Sequence, residues 1–498
     1  AQGAASDHVR LRTPPPWWAP ARNTQSDPAR AGDPPRAMSQ CQQGQGQRRR
    51  SGSRKERTLS LSDGLGLNDP LWSDWLIPAR YEVRSLLGSG AYGTVCEALD
   101  KDRGRMVAIK RIPHIFSDLV AAKRVLREVS ILARIDDAHI VRMYDIVVPS
   151  DDLLLFKELF VVMEIGDTDL KALMQTDIEF TEAHVKWIFY NLLCGLHFLH
   201  TAGILHRDLK PSNVLVNKDC QVKICDFGLA RTIGDRSEPV TLTPAAQLAE
   251  SQRSHSKGFS THGAAGTATP ATSSIAGTAS RRAMSKHVAT RFYRAPELCL
   301  LQDDYSEAVD IWSAGCIYAE LVQLLEGFRI EDRRPLFPGV TCFPLSPEPA
   351  RAGDGLYHSR GRREQMNLIF DVLGTPTSAE VDQLDREDAR AYLRWFAPRR
   401  GSGIRRRFPH INGDSVDILQ QMLRFGPSDR ITAQGALEHK LLADIRDPAL
   451  ETCAPEPFEL EVDRKKQHEH HTEQELRQHF AREVSAIRGA NPGAVGGA

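Results

Sequence analysis

The clearest pattern along the chain is apolar residues three and four positions apart, which predicts amphipathic helices. Three such stretches cover residues 118–134, 181–200 and 472–487. A shorter one covers residues 416–425. The apolar positions that set the spacing are Leu119, Ala122, Val125, Leu126 and Val129, then Val185, Ile188, Phe189, Leu192, Leu193, Leu196 and Leu199, and finally Leu476, Phe480, Val484 and Ile487.

Residues that can cap a helix precede these stretches. Asp118 and Thr181 stand where a side-chain oxygen can accept a hydrogen bond from the first turn. Thr472 and Glu475 form a capping-box pattern ahead of the last stripe. We expect that last helix to pack back onto the body of the protein, and the alternative is a helix that binds a partner.

Short apolar runs between turn residues predict strands at residues 81–95, 107–109, 161–165, 214–216 and 222–224. The first run is rich in glycine and the second ends in a lone lysine. Strands in the first part of the chain and mainly helices afterwards indicate an α+β protein.

Two regions lack this patterning. Residues 1–70 are rich in Pro, Arg, Gln, Gly and Ser, and residues 234–280 are rich in Ser, Thr, Ala and Gly. Such segments bury too little apolar surface to offset the entropy of the chain, so we expect disorder in both. Arg48, Arg49 and Arg50 could serve nuclear import or docking, and a solvated linker is the alternative.

Composition narrows the class further. The 498 residues carry 64 basic and 64 acidic side chains, which gives no bulk attraction to nucleic acid or to a membrane. The nine cysteines lack metal-ligand spacing and are odd in number, as in reduced thiols of a cytoplasmic or nuclear protein. No apolar run approaches the roughly 20 residues of a membrane span, and residues 1–30 lack a signal-peptide core.

The candidate chemistry is concentrated in one loop, residues 206–213, with the sequence His-Arg-Asp-Leu-Lys-Pro-Ser-Asn. It presents a carboxylate, a cation and an amide in a fixed order. Asp226-Phe227-Gly228 follows after a strand, a turn and a second strand. These groups suit the transfer of a phosphoryl group from ATP to a hydroxyl.

This set closely resembles the protein kinase family, and Lys210 resembles its serine/threonine branch. The resemblance implies a two-lobed kinase fold with a β-rich small lobe and a mainly helical large lobe. It implies that Asp208 is the catalytic base and that Lys210 neutralises developing charge. Asn213 and Asp226 would hold Mg²⁺, so ATP and Mg²⁺ are the expected cofactors.

The family's nucleotide-binding motifs are also present. A glycine-rich loop precedes Lys110, whose partner in the family's ion pair is expected to be Glu128. Met163 would line the back of the adenine pocket, and backbone groups of Glu164 and Gly166 would bind the adenine edge. The residues expected to contact ATP are Leu87, Gly88, Ser89, Gly90, Ala91, Tyr92, Gly93, Val95, Ala108, Lys110, Met163, Glu164, Gly166 and Leu215.

The activation segment resembles that of MAP kinases, whose lip carries a phosphorylated Thr-x-Tyr pair. Here Ser285 and His287 occupy those positions, which is similar to the atypical MAP kinases of apicomplexan and other protists. The resemblance implies one activating phosphosite, Ser285, bound by Arg127, Arg207 and Arg231. The pocket for a proline after the phosphoacceptor is expected to include Thr290, Arg291 and Arg294.

In the large lobe, Asp310 opens a helix expected to reach residue 325 and braces the catalytic loop. Glu297 is expected to pair with Arg430. Asp447 and Glu451 resemble the acidic docking segment of MAP kinases, and a plain solvated loop is the alternative. The expected domains are an extension at 1–70, a small lobe and hinge at 71–166, a large lobe at 167–445 with an insert near 340–362, and a C-terminal extension at 446–498.

The sequence therefore predicts a MAP kinase that acts on Ser or Thr before proline. Expected partners are protein substrates, docking peptides and an upstream kinase, unless the enzyme phosphorylates itself, and a monomer is expected. One rival class is a pseudokinase scaffold, but Lys110, Asp208, Asn213 and Asp226 are all retained. The other is a cyclin-dependent type of kinase, whose signature is absent around Glu128.

Overall fold

The computed structural model describes residues 72, 74–90, 93–150, 152–178, 180–232, 291–302, 306–325, 327–342, 363–463 and 471–490. The chain divides into two units, Ala1–Asp69 and Pro70–Ala498, and every described residue belongs to the second. The predictions for residues 1–70 and 234–280 lie outside the described residues, as does most of the insert predicted at 340–362.

The first part of this unit is built on a five-stranded antiparallel sheet in the order β1-β2-β3-β5-β4. Its strands are β1 (Tyr81–Gly90), β2 (Gly93–Asp100), β3 (Arg105–Ile112), β4 (Met143–Val147) and β5 (Leu159–Met163). Side chains of β5 alternate between two hydrophobic clusters, as the two-residue period of a strand requires. Phe160 and Val162 pack with Trp75 and Tyr81 on one face, while Leu159 and Val161 join the main core on the other.

Helix α1 (Leu119–Leu132) covers that second face, and its apolar stripe is buried as the spacing predicts. Asp118 caps it by accepting hydrogen bonds from the backbone amides of Val120 and Ala121. Charged residues on the inward side, Arg127 and Glu128, are buried as well. Burying a charged group is costly unless it has a partner. We therefore expect residues that pair with Arg127 and Glu128 to lie close to α1.

The last described helix, α12 (Glu473–Ala490), returns to the small lobe and packs against α1 and β4. Leu476, Phe480 and Val484 are fully buried, and the ring of Phe480 meets Phe116 and Phe156 edge to face. The capping box at Thr472 and Glu475 forms as predicted. The expectation that this helix packs onto the body of the protein is therefore confirmed.

The remaining described helices form the large lobe around α3 (Glu182–Thr201) and α5 (Ala308–Leu321), which bury their lengths against each other. The others are α2 (Leu170–Leu173), α4 (Pro296–Cys299), α6 (Gln365–Leu373), α7 (Ser378–Asp382), α8 (Glu387–Arg394), α9 (Ile404–Arg407), α10 (Gly413–Met422) and α11 (Ala433–Leu437). Phe189 of α3 stacks on Tyr318 of α5 with ring centroids 4.1 Å apart. Thr181 caps α3 as predicted.

Five short strands lie between the lobes and carry the loops of the candidate site. Strands β6 (Thr168–Asp169), β8 (Val214–Val216) and β9 (Val222–Ile224) form one sheet, and β7 (Ile204–Leu205) pairs with β10 (Arg231–Thr232). The catalytic loop predicted from sequence follows β7 and enters β8, so both of its ends are fixed by backbone pairing.

Two predicted helix boundaries were wrong, and two predicted strands were also misplaced. The strand predicted at 81–95 is two paired strands, β1 and β2, and the strand predicted at 161–165 is β5, Leu159–Met163. The helix expected at 416–425 is α10, Gly413–Met422, because the Asn412 side chain caps it by accepting from the amide of Ser415. The helix expected from Asp310 to residue 325 begins at Ala308 and ends at Leu321, since its last turn tightens into a 3-10 turn, Val322–Leu324.

Candidate active site

The small lobe contributes an ion pair between β3 and α1. The ammonium of Lys110 lies 2.8 Å from both carboxylate oxygens of Glu128, as the sequence predicts. The two side chains are 16% and 7% exposed. Burial alone would lower the pKa of Lys110, but the Glu128 and Asp226 carboxylates outweigh it and raise the pKa. Lys110 is therefore a permanent cation at the base of the cleft.

The large lobe contributes the catalytic loop, which the buried carboxylate of Asp310 holds from behind. The backbone amides of His206 and Arg207 each donate to it at 2.8 Å. Burial acts to raise the pKa of Asp310, but hydrogen bonding to His200 and to the Arg207 amide lowers it below its ordinary value. Arg207 has a φ of 65°, a left-handed conformation that is unfavourable without such support. The predicted bracing role of Asp310 is confirmed.

Three side chains of that loop converge. The Lys210 ammonium forms an ion pair with the Asp208 carboxylate. The buried Asn213 side chain donates from Nδ2 to the Asp208 carbonyl at 3.0 Å, which leaves its Oδ1 to face other groups. A carboxylate, an ammonium and an amide oxygen are thus presented together at the mouth of the loop.

The next group is Asp226, which has a φ of 67° at the start of the turn Phe227–Leu229. Phe227 is fully buried beneath α1, 5.2 Å from the His206 ring. This anchoring directs the Asp226 carboxylate into the cleft. Burial would raise the pKa of that carboxylate, but Lys110, Lys210 and His206 lower it. Asp226 is consequently an anion with cations around it.

The nucleotide side of the cleft is formed by the hinge and the β1–β2 hairpin. In the hairpin Gly88 pairs with Val95 and Gly90 with Gly93. Gly93 has a φ of 134°, and a Cβ there would lie 1.8 Å from the Arg111 carbonyl oxygen, so only glycine fits. Of the predicted ATP contacts, Ala91 and Tyr92 lie outside the described residues.

The hinge residues approach one another closely. A Cβ on Gly166 would lie 2.8 Å from the Cβ of Leu215, the predicted adenine floor. The Glu164 amide donates to the Arg142 carbonyl at 2.8 Å, so what Glu164 can offer a nucleotide is its carbonyl oxygen. Met163 pairs in register with Ala108 across β5 and β3. The residues expected around adenine are therefore brought to one place.

These groups fit a magnesium nucleotide. Mg²⁺ prefers carboxylate and amide oxygens and keeps much of its shell for phosphate and water. The ionised Asp226 and the Asn213 oxygen provide two such ligands beside the permanent cation Lys110. Among the described residues no group of three His, Cys, Asp or Glu side chains could hold a metal by itself.

The predicted phosphate-binding arginines also meet, at the turn after Asp226. Arg127 donates to the carboxylate of Asp463 at 2.7 and 3.1 Å, and Arg231 donates to it at 3.2 Å. The Nε of Arg207 donates to the Leu229 carbonyl at 2.6 Å. We call Arg127, Arg207 and Arg231 the arginine cluster. Sequence reasoning missed Asp463, because nothing in the pattern around it connects it with α1.

Beside the catalytic loop lies an open cavity of about 690 Å³, lined by Lys210, Ser212, Arg291, Tyr293 and Glu320 among others. Arg291 donates to the Val340 carbonyl, and Arg294 is buried. Burial raises the pKa of Glu320 to about 7, although its hydrogen bond with Tyr293 acts in the opposite direction. Sequence reasoning missed Glu320. The predicted residues Ser285 and Thr290 lie outside the described residues.

The two predicted docking carboxylates differ in their surroundings. Asp447 is exposed and caps a short turn at the Ala449 amide. Glu451 accepts two hydrogen bonds from Arg446, at 2.7 and 2.8 Å, and one from the Tyr190 hydroxyl at 3.1 Å. The hydrogen bond from Arg446 is the main reason why the pKa of Glu451 is lowered. Glu451 is therefore engaged within the chain, while Asp447 faces outward.

Comparison with known proteins agrees with this geometry. Residues 81–249 and 266–442 match the family described as "Protein kinase domain". "Mitogen-activated protein kinase 1" of Oryza sativa subsp. japonica is 34% identical over 388 residues, which cover 78% of each chain. "Mitogen-activated protein kinase 3" of Arabidopsis thaliana is 33% identical over 377 residues, 76% of this chain and 82% of that one.

The ion pair between β3 and α1, the braced loop and the anionic turn are thus those of a protein kinase. Within that class the chain belongs to the MAP kinase family, and it is a serine/threonine protein kinase. Members of the family use ATP with Mg²⁺, act on protein substrates and respond to upstream kinases. No described helix of this chain is both long and apolar enough to cross a bilayer.

Proposed function

We propose that this kinase transfers the γ-phosphoryl group of ATP, bound with Mg²⁺, to serine or threonine followed by proline. The observation that carries the proposal is the meeting of Lys110, Glu128, Asp208, Asn213 and Asp226 in one cleft, with the ion pair between β3 and α1 already formed. The cleft therefore has the anions and cations needed for phosphoryl transfer before any ligand binds.

In this mechanism Asp208 accepts the proton of the substrate hydroxyl as that oxygen bonds to the γ-phosphorus of ATP. The bond from that phosphorus to the β–γ bridging oxygen breaks, and ADP leaves. Lys210, already paired with Asp208, stabilises charge on the transferred group. Lys110, held by Glu128, binds phosphates of the nucleotide, and Asn213 and Asp226 hold the metal. Mg²⁺ bound there neutralises phosphate charge and orients the transferred group. The glycine-rich hairpin covers the nucleotide with its backbone amides.

The substrate choice follows from the segment that borders the open cavity. We assign Thr290, Arg291 and Arg294 to the pocket for the proline after the phosphoacceptor. Support comes from the place of Arg291 in the wall of the same cavity as Lys210 and Ser212 of the catalytic loop.

For regulation we propose the atypical type of MAP kinase, activated by a single phosphate on Ser285. His287 has no hydroxyl, so an activator that modifies both residues of a Thr-x-Tyr pair finds only one acceptor. The arginine cluster would receive the phosphate, since a phosphoserine carries about −1.5 to −2 charges at neutral pH. Docking peptides would contact the exposed Asp447 before Glu451. We also propose that the kinase acts as a monomer in the cytoplasm or nucleus.

The central test is Asp208→Asn in the full-length kinase, assayed with ATP, Mg²⁺ and a Ser-Pro peptide. Removing the general base lowers kcat by roughly 10²–10⁴-fold, while nucleotide binding persists because Lys110 and Asp226 remain. The matched control is Asp444→Asn, an exposed carboxylate on the large lobe. Undiminished turnover by Asp208→Asn would contradict the assignment.

The regulatory proposal has its own test, the pair of variants Ser285→Ala and His287→Tyr. After treatment with an activating kinase, Ser285→Ala should show no increase in activity, whereas His287→Tyr should behave like the parent. Activation that persists in Ser285→Ala, or that appears only once a tyrosine is restored at position 287, would overturn the single-phosphate scheme.

A further inference from the structure

Asp463 is an acidic residue from the C-terminal extension that lies within the arginine cluster. It ends the short turn Glu461–Asp463, whose middle residue, Val462, is buried. The side chains of Arg127 and Asp463 are 5% and 9% exposed, so their contact is shielded from water and salt. The carboxylate reaches Arg127 and Arg231, two of the three arginines that we propose for the activating phosphate.

Among the described residues, several cations lie around this carboxylate. Lys123 also approaches Asp463, at 3.7 Å, so three cations face one carboxylate. Burial, and then repulsion from Arg127 and Arg231, lower the pKa of Lys123 to about 8 despite the attraction of Asp463. Removing the carboxylate would leave the buried Arg127 beside the partly exposed Lys123 and Arg231, and these cations would repel one another.

The contact between Asp463 and its two arginines also connects two parts of the cleft. Arg127 precedes Glu128 on α1, and it donates a further hydrogen bond to the Gly228 carbonyl at 3.4 Å. Arg231 follows the turn that begins at Asp226. One carboxylate thus joins the helix that carries the ion-pair glutamate to the segment that carries the metal-binding aspartate.

We propose that Asp463 is a positioning residue for phosphoryl transfer, whose carboxylate holds Arg127 and Arg231 of the arginine cluster in place of an activation-segment phosphate. The proposal rests on the phosphate-binding role proposed for that cluster. The ion pair between Lys110 and Glu128 is then aligned before phosphorylation. A phosphate that arrives later would meet the same two arginines, so basal and stimulated activity use them in common.

The test begins with Ser285→Ala as the parent, because that protein cannot receive the phosphate. Into it Asp463→Asn is introduced, and kcat and the KM for ATP are measured on purified full-length protein. We expect kcat/KM for ATP to fall about ten-fold, within the usual range of coupling between sites, with KM raised and kcat lowered. Asp463→Glu, which keeps the charge, should restore most of the loss.

The matched control is Glu461→Gln, from the same turn. Its carboxylate pairs with Arg482 and is 55% exposed, so its removal should leave kcat and KM unchanged. If Asp463→Asn is recovered unfolded, Arg231→Gln breaks the same contact from the other side and should raise the KM for ATP similarly. In protein phosphorylated on Ser285, the effect of Asp463→Asn should shrink because the phosphate supplies the missing anion.

Several results would overturn the proposal. One is an inactive Ser285→Ala parent, because Asp463 is still present there and would not be replacing the phosphate. Another is unchanged kcat and KM in Asp463→Asn or, where that protein does not fold, in Arg231→Gln. A third is a loss that Asp463→Glu does not repair, which would indicate packing and not charge. By contrast, full activity in Ser285→Ala with loss in Asp463→Asn would reject only the Ser285 scheme.

Discussion

Two buried arginine–carboxylate contacts of this kinase have the same chemistry and different surroundings. In the large lobe, Arg430 donates to both oxygens of Glu297, at 2.5 and 2.7 Å, and its remaining donors reach backbone carbonyls. That predicted pair is one cation with one anion, 0% and 4% exposed. Near the cleft, Asp463 faces Arg127, Arg231 and Lys123 together.

The difference lies in charge balance. A matched pair gains nothing from a further ion, so the Glu297–Arg430 contact can only hold structure. An unmatched cluster keeps an affinity for anions, so the Asp463 contact can respond to phosphorylation. The comparison suggests that the ratio of charges, more than burial or geometry, separates a structural contact from a responsive one.

The largest effect is expected where the matched pair is broken. Glu297→Gln leaves the Arg430 guanidinium buried without an anion, which should lower the free energy of unfolding by about 3–5 kcal/mol. Denaturant titration would measure this, with Glu331→Gln as a control because that carboxylate pairs with Arg329 only at the surface. A change below about 1 kcal/mol would mean that the buried Glu297–Arg430 pair contributes no more than a surface ion pair.

A second variant tests the packing of α12 on the small lobe, separately from the charge of Asp463. Phe480→Ala leaves a cavity among Phe116, Phe156 and α1 and should destabilise the protein by about 3 kcal/mol. The C-terminal extension carries both α12 and Asp463. Because loss of packing at α12 should loosen that extension, the KM for ATP should rise as well. Thermal unfolding and ATP kinetics would test both effects, with the exposed Trp395→Ala as the control. If Phe480→Ala were as stable as the parent, the apolar stripe of α12 would not be needed for stability.

The smallest effect is expected at an ion pair between α12 and α1. Arg134 pairs with Glu483 at 2.8 Å, but the Arg134 side chain is 46% exposed. Solvent screens such pairs, so Arg134→Ala should cost less than about 1 kcal/mol and leave the KM for ATP unaltered. If this variant impaired ATP binding as strongly as Asp463→Asn, loosening of α12 would explain both, and the role of charge balance would be refuted.

Much of the fold and the site could be predicted because the signals are local or follow known motifs. The stripes of α1, α3 and α12 are periodic, and their caps adjoin them. The Lys110–Glu128 pair and the bracing by Asp310 were reached through the kinase resemblance. Helix α10 was misplaced because the capping Asn412 lies four residues before the first apolar position used, Val416.

Asp463 could not be predicted for a different reason. Its contact with Arg127 spans 336 residues and joins α1 to the C-terminal extension, whose helix α12 also packs on the small lobe. No periodicity encodes such a distance. Likewise, Glu451 resembles a docking acid in sequence, and only the structure shows Arg446 and Tyr190 around it.

The return of the chain from α12 to the small lobe has a consequence for protein synthesis. Ribosomes add about 5–20 residues per second, so the 336 residues between Arg127 and Asp463 take roughly 20–70 s to make. Once β5 has been made, the nascent small lobe has all five strands and α1 but lacks the helix and the carboxylate that complete it. An unfinished polypeptide would therefore remain a poor enzyme until translation ends. A prematurely terminated one that lacks α12 would expose the apolar surface of Phe116 and Phe156, to which chaperones could bind.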